Sequence, residues 1–246
     1  MPLRNLKEIK AVIFDMGDTL YTMPYSVSDY HMKFLREVCG EDFVVTYEEL
    51  VQAEDKAEIA LYELLDEVAT GPNHEINHEE WLYFDRVLLQ SLGVDADIDK
   101  KSLEYQRLWN DLLTSHPNTL RLGAKEVLED LYHRGLKLGV ATNWTQSPDD
   151  LLSSSGIRHL FQSLQWTLIR GYAKPSPYML IMNAHELGVN PIRCAFVGNK
   201  INLDVEAARR AGMQPILLSK LKEELQSENE DVLIIKDLVE LLDYLE

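Results

Sequence analysis

The chain has 246 residues, 46% of them hydrophobic, with 24 Lys and Arg against 41 Asp and Glu and a formal net charge of −17. A chain this long buries about 70% or more of its unfolded surface and forms one large domain or two smaller ones, and two cysteines, Cys39 and Cys194, are too few for a disulfide framework. Its acidity opposes non-specific nucleic-acid binding, which depends on neutralising phosphates with basic side chains.

The first strand is expected over residues 11–15, a short apolar run ended by Asp15 and the turn residue Gly17. Residues 28–113 then show helical periodicity. Ser28 is placed to cap a helix with Met32, Leu35 and Val38 on one side. Residues 47–68 repeat Leu50, Ala53, Ala57, Leu61 and Leu65 at helical spacing and stop at Gly71-Pro72. Asn77, with Glu80 three positions on, caps a third helix bearing Trp81, Phe84 and Leu88. A fourth helix runs over residues 99–113. This part is also the acidic one: residues 21–118 hold 21 acids against 7 bases, or −14, and the remainder carries −3.

Beyond Leu120 helices and short apolar strands alternate. Helices are expected at 124–133, 148–155, 175–187, 203–211 and 238–245, and strands at 136–142, 161–168, 194–198, 214–218 and 232–235. Residues 223–231 read as an exposed polar loop. Alternation of this kind argues for a parallel sheet covered on both faces. The expected architecture is α/β, a doubly wound, mostly parallel sheet formed by residues 1–20 and 119–246, with a helical domain at 21–118 inserted after the first strand. The start, MPLRNLKEIK, shows no signal-peptide pattern, and no stretch offers the roughly 20 apolar residues of a membrane helix. The expectation is a soluble cytoplasmic protein without a membrane partner.

Ligands of open parallel sheets bind beyond the carboxyl ends of the strands. The first strand delivers Asp15, Gly17, Asp18 and Thr19, and the second Thr142 and Asn143. The fourth delivers Gly198, Asn199 and Lys200, with Asp204 just beyond, and Lys174 lies in the loop after the third. Carboxylates, hydroxyls, an amide and a lysine on one rim suit a phosphoryl or other anionic group beside a divalent cation. Taken singly they read as a turn aspartate, a packed threonine, a solvated lysine and a helix-start aspartate. Their joint order carries the signal.

The segments Phe14-Asp-Met-Gly-Asp-Thr-Leu20, Val140-Ala-Thr-Asn143, Lys174-Pro175 and Val197-Gly-Asn-Lys-Ile-Asn-Leu-Asp204, followed by Ala207, Ala211 and Gly212-Met213, resemble the four motifs of the haloacid dehalogenase (HAD) superfamily in order. The stretch Leu120-Arg-Leu-Gly-Ala-Lys-Glu-Val-Leu resembles the family's return from cap to core, so the likeness spans essentially the whole chain. It implies a HAD-like, Rossmannoid core with a helical cap, and a phosphatase-like hydrolase acting on a small phosphorylated metabolite. Asp15 would be the nucleophile, and Thr142 and Lys174, with Asn143 and Gly17 nearby, would hold the transferred group. Mg²⁺ would be held by Asp15, the backbone carbonyl of Gly17, Asp204 and Asn199. The acidic cap disfavours polyanionic substrates, and Tyr21 or Tyr25 is close enough to the first motif to line an entrance.

Two residues depart from the family pattern. Gly17 stands where its phosphatases usually carry an Asp as general acid and base, a loss worth about 10²- to 10⁴-fold. Asp18 is the neighbouring candidate, although successive side chains in extended backbone point apart. Asn199 replaces the first of two usual Asp residues, keeping an oxygen ligand and losing a charge, which weakens the Mg²⁺ site. Two other readings therefore stay open. One is a catalytically degenerate member that binds a ligand or partner. The other is dehalogenation or phosphonate cleavage, with Arg36, or Lys33 or Lys56, as cap residues. His31, His74 and His78 show no metal-ligand spacing, and nothing in the sequence fixes the oligomeric state.

Overall fold

The structure is a computed structural model that describes residues 6–22, 26–67, 71–220 and 230–245. Tyr25 and most of the expected polar loop at 223–231 lie outside them. Four consecutive buried apolar residues, Ala11–Phe14, form β1, and a strand apolar on both faces belongs inside a covered sheet. The short strands β2 (Tyr21–Thr22) and β3 (Thr119–Leu120) form a separate pair. With β1, the strands β4 (Lys137–Thr142), β5 (Phe161–Trp166), β6 (Cys194–Gly198), β7 (Gln214–Leu218) and β8 (Leu233–Ile235) make a six-stranded sheet in the order β5-β4-β1-β6-β7-β8. Every pairing in it is parallel. The chain builds outward from β1 through β4 to β5, then resumes on the other side of β1 with β6. The carboxyl end of β1 is thus the switch point at which such sheets open a crevice.

Two compact units emerge, one of residues 1–22, 72–75 and 120–246, the other of residues 23–71 and 76–119. The second is helical: α1 (Val27–Cys39), α2 (Tyr47–Glu67), α3 (His78–Ser91) and α4 (Ile98–Ser115). Their apolar stripes meet in a core of Phe34, Leu35, Leu50, Ala57, Leu88 and Tyr105. The Asn77/Glu80 box forms as the spacing predicts. Asn77 Oδ1 accepts from the amides of Glu79 and Glu80 at 2.9 and 3.1 Å, and Glu80 Oε2 accepts from the Asn77 amide at 2.8 Å. The cap of α1 is Ser26, not Ser28; its Oγ accepts from the Asp29 amide at 3.3 Å. Either serine leaves the same apolar stripe, so periodicity alone does not choose between them.

In the sheet unit, alternate residues of β1 serve opposite layers. Val12 and Phe14 pack with Val127, Leu128 and Leu131 of α5 (Ala124–His133) and Leu152 of α6 (Asp149–Ser154). Ala11 and Ile13 pack with Met179, Leu180 and Ala184 of α7 (Tyr178–Leu187) and with the alanines of α8 (Glu206–Ala211). Helix α7 starts at Tyr178, not 175, because Pro175 and Pro177 precede it and the residue before a proline is held out of the helical region. The expected helix at 203–211 is a π turn, Ile201–Val205, followed by α8. At the end of the chain a short 3₁₀ turn, Leu238–Glu240, leads into α9 (Leu241–Tyr244). Among the described residues no helix is long and apolar enough to cross a membrane.

Candidate active site

Three charged side chains converge just beyond the carboxyl end of β1. Lys174 Nζ donates to Asp15 Oδ1 at 2.6 Å and to Asp204 Oδ1 at 2.7 Å. All three residues are buried, at 5%, 6% and 3% exposure for Lys174, Asp15 and Asp204. The second oxygens are also held. Asp15 Oδ2 accepts from Thr19 Oγ1 at 3.1 Å, and Asp204 Oδ2 accepts from the amides of Asn199 and Lys200 at 2.9 and 2.8 Å.

The backbone around each group explains why they meet. The Asp15 amide donates to Val197 O at 2.9 Å, extending the β1–β6 ladder into the site. Lys174 is clamped by Asn143, whose Nδ2 donates to Lys174 O at 3.0 Å while its Oδ1 accepts from the Lys174 amide at 2.8 Å. Asp204 sits in the π turn, where its own amide and that of Val205 both donate to Lys200 O, at 2.8 and 3.3 Å; one-turn π segments of this kind recur at functional sites. Gly198 is needed for this approach, because a Cβ there would lie 2.4 Å from Asp204 Cβ and Cγ. After Asp15 the chain turns sharply. Asp18 takes a left-handed φ of +56°, and Arg121 straps the turn by donating from Nε to Thr19 O at 2.8 Å and from Nη2 to Asp18 O at 2.6 Å.

The electrostatics follow from burial. Burial pulls the Lys174 ammonium down, but the two touching carboxylates outweigh it and hold its pKa above the ordinary lysine value. Burial, helped by Asp204, raises the Asp15 carboxyl against the opposing pull of Lys174. The Lys174 ammonium also lies 5.2 Å from the centroid of the Phe196 ring, a further favourable contact for a cation. Thr142 Oγ1, at the end of β4, is buried and has no hydrogen-bond partner among the described residues. A buried hydroxyl left so costs on the order of 1–3 kcal/mol unless something satisfies it.

Asp15, Lys174 and Asp204 are thus brought into contact, as the sequence leads one to expect. Asn199 lies beside them, its Oδ1 accepting from Thr19 Oγ1 at 3.5 Å. Asn143 spends both ends of its amide on the Lys174 backbone. Asp18 is exposed, and its carboxylate is not among the partners of Asp15 or Lys174. Gly17 is half-buried and has no left-handed φ. Tyr21 is a core residue, its hydroxyl donating to Ser155 Oγ at 2.8 Å. Arg36, Lys33 and Lys56 are exposed on α1 and α2. Thr19 and Arg121 were not singled out for roles. Thr19's place four residues after Asp15 was the available signal, whereas nothing local marks Arg121. Among the described residues no group of three or more His, Cys, Asp or Glu converges in a way that could hold a metal ion.

A family model of haloacid dehalogenase-like hydrolases matches residues 9–212. The chain belongs to this family and is a hydrolase. It is 28% identical over 230 residues to a glyceraldehyde 3-phosphate phosphatase of Methanopyrus kandleri, covering 91% of this chain and 90% of that protein. A phosphonoacetaldehyde hydrolase of Bacillus cereus is 28% identical over 211 residues, covering 84% of this chain and 74% of that one. The fold matches a solved structure described as a predicted phosphoglycolate phosphatase from Haemophilus somnus, with a TM-score of 0.62 at 19% identity over 96% of this chain and 97% of that one.

Proposed function

We propose that this protein is a phosphatase-like hydrolase that transfers the phosphoryl group of a small phosphorylated metabolite first to Asp15 and then to water. The observation that carries the reading is the buried Lys174 ammonium held between Asp15 and Asp204. Of the two carboxylates Asp15 is the freer to react, because Asp204 spends one oxygen on two backbone amides. An Asp15 oxygen attacks phosphorus as the bond to the leaving oxygen breaks; water then attacks the same phosphorus and releases phosphate from Asp15. Lys174 offsets charge on Asp15 and on the transferred oxygens, and the Thr142 hydroxyl donates to one of them. Asn143 and Gly198 act indirectly, the first by fixing the Lys174 backbone and the second by admitting Asp204.

The donor set fits Mg²⁺. Asp15, Asp204, the Asn199 side-chain oxygen and the Gly17 carbonyl are all oxygens, and Mg²⁺ is commonly held by one or two carboxylates together with substrate phosphate. With Lys174 counted, the buried charges sum to one negative, so the site holds a cation less firmly than one with an aspartate at 199 would. When bound, the ion would neutralise charge on the transferred oxygens. The names of the relatives make glyceraldehyde 3-phosphate the first compound to assay. Phosphonate cleavage through an imine gains no support, since an imine-forming lysine needs desolvation and Lys33 and Lys56 are exposed.

The test is Mg²⁺-dependent release of phosphate from glyceraldehyde 3-phosphate and p-nitrophenyl phosphate by the wild type and by Asp15→Asn. Loss of at least a thousandfold in the variant is expected, and equal rates overturn the reading. Thermal stabilisation by Mg²⁺ with beryllium fluoride should appear in the wild type and vanish in Asp15→Asn. Absence of both hydrolysis and stabilisation in the wild type would leave the degenerate, binding role.

A further inference from the structure

Gly17 leaves this hydrolase without a proton-carrying side chain where the family's phosphatases carry their acid, and another group stands in that direction. Among the described residues, a Cβ built on Gly17 would have one non-neighbouring heavy atom within 4 Å, the indole Nε1 of Trp144, at 3.7 Å. Trp144 follows the Thr142-Asn143 pair on the loop leaving β4, and its half-buried ring packs against the aliphatic layer that includes Phe14 and Val140. That loop is held by the two hydrogen bonds between Asn143 and the Lys174 backbone, so the indole is carried on the same support as the ammonium. Among the described residues nothing accepts the indole N–H.

We propose that Trp144 Nε1–H is the hydrogen-bond donor to the leaving oxygen, in place of an acid at position 17. This rests on the phosphoryl-transfer reading and narrows its substrate class. An indole N–H donates but does not titrate. It stabilises charge developing on the leaving oxygen and cannot protonate it. In the first step the bond from Asp15 oxygen to phosphorus forms, and the leaving oxygen departs with the electron pair of its broken bond. It leaves as an anion and takes its proton from solvent. In the second step a water oxygen bonds to phosphorus, the bond to Asp15 breaks, and the carboxylate is regenerated, with the water's proton shared between phosphate and solvent. Such a site favours phosphates of weakly basic oxygen, namely acyl, enol and aryl phosphates, over phosphates of simple alcohols.

The experiment measures kcat/KM for acetyl phosphate and for aryl phosphates running from p-nitrophenyl to phenyl, with the wild type, Trp144→Phe, Gly17→Asp and the double variant. The wild type should fall steeply as the leaving group becomes more basic, with no alkaline limb due to an acid. Trp144→Phe, which keeps the aromatic packing, should lower kcat/KM by about 10- to 100-fold, the usual worth of a hydrogen bond to a charged group. The loss should be greater for phenyl than for p-nitrophenyl phosphate, fall on kcat more than KM, and leave the pH profile unchanged. Gly17→Asp, whose Cβ would make an ordinary contact with the indole, should flatten the series, raise phenyl phosphate turnover tenfold or more, and add an alkaline limb. Stabilisation of Trp144→Phe by Mg²⁺ and beryllium fluoride as in the wild type would show the rest of the site intact. A wild-type rate in Trp144→Phe, or a loss equal across the series, overturns the role of Trp144. If Asp15→Asn still abolishes the wild-type rate in that case, phosphoryl transfer stands without it; if it does not, both readings fall together.

Discussion

Replacing Lys174 by Met tests the electrostatic logic of the site through folding alone. The ammonium is the partner of two buried carboxylates, 2.6 Å from Asp15 and 2.7 Å from Asp204. Removing one partner of a buried ion pair leaves an uncompensated charge and costs about 3–5 kcal/mol. The variant can relieve that cost only by protonating a carboxyl, and at 1.36 kcal/mol per pKa unit the cost corresponds to a rise of about 2–4 units above the unfolded value near 3.9. The sign of the pH dependence follows. A carboxyl whose folded pKa is raised binds more protons folded than unfolded, so its stability is whole below about pH 4 and is lost as pH rises through the raised value. The deficit of Lys174→Met relative to wild type should therefore be small near pH 4.5 and reach about 3–5 kcal/mol at pH 7.5, or about 6–20 °C in melting temperature for a protein of this size. In the wild type, by contrast, the raised lysine pKa keeps the ammonium charged through neutral pH. Thermal melting followed by circular dichroism at several pH values measures the difference, and Lys174→Met/Asp204→Asn should recover part of it at pH 7.5. A deficit independent of pH, or a double variant no more stable than the single one, refutes the reasoning.

Thr142→Val should affect folding and ligand response in opposite directions. Removing a buried hydroxyl without a partner should leave the free protein as stable as wild type or up to about 1 kcal/mol more so, while stabilisation by Mg²⁺ with beryllium fluoride falls; melts with and without the ligands decide. Within the helical unit, burial pushes the Asp85 carboxyl up to about 8 and His31 down to about 4. His31 also touches Tyr105 and Glu54, and burial raises Glu54 as well. A depressed histidine loses stability as pH falls from about 6.5 through its folded value, and a raised carboxyl loses it as pH rises through its own. The two nearly offset between about pH 4 and 6.5, and Asp85 alone then lowers stability up to about pH 8. Asp85→Asn should abolish that alkaline decline, with a gain of several kcal/mol above pH 8 at about 1.36 kcal/mol per unit; a decline that persists in urea unfolding of the variant would assign it elsewhere.

The buried trio was legible because Asp15, Lys174 and Asp204 each come after a short strand, and a parallel sheet delivers strand ends to one rim. The capping box at Asn77 and Glu80 was legible because its two bonds join residues three apart. What escaped depended on contacts between distant segments or on a single backbone angle. Asn143 is marked in the sequence by a polar amide at a strand end, but the bonds that tie this amide to a loop 31 residues on are not. Asp18 looked close to Asp15 in the chain, and its left-handed φ turns it outward. Arg121 bonds carbonyls 102 and 103 residues away, which no local pattern encodes. Trp144 meets Gly17 across two loops, and the sequence shows only an ordinary aromatic residue.

The alternation of β1 between two apolar layers ties the position of Asp15 to the reading frame of the core. Ala11 sits opposite both Lys137 and Cys194, and Asp15 is the next residue after the strand. Inserting or deleting one residue in β1 would slide that carboxylate by roughly 3.3 Å and turn it to the other face, away from a lysine and an aspartate that hang from different segments. Swapping one apolar residue for another of like volume inside β1 leaves that alignment alone, so this fully buried stretch tolerates a change of side chain better than a change of length.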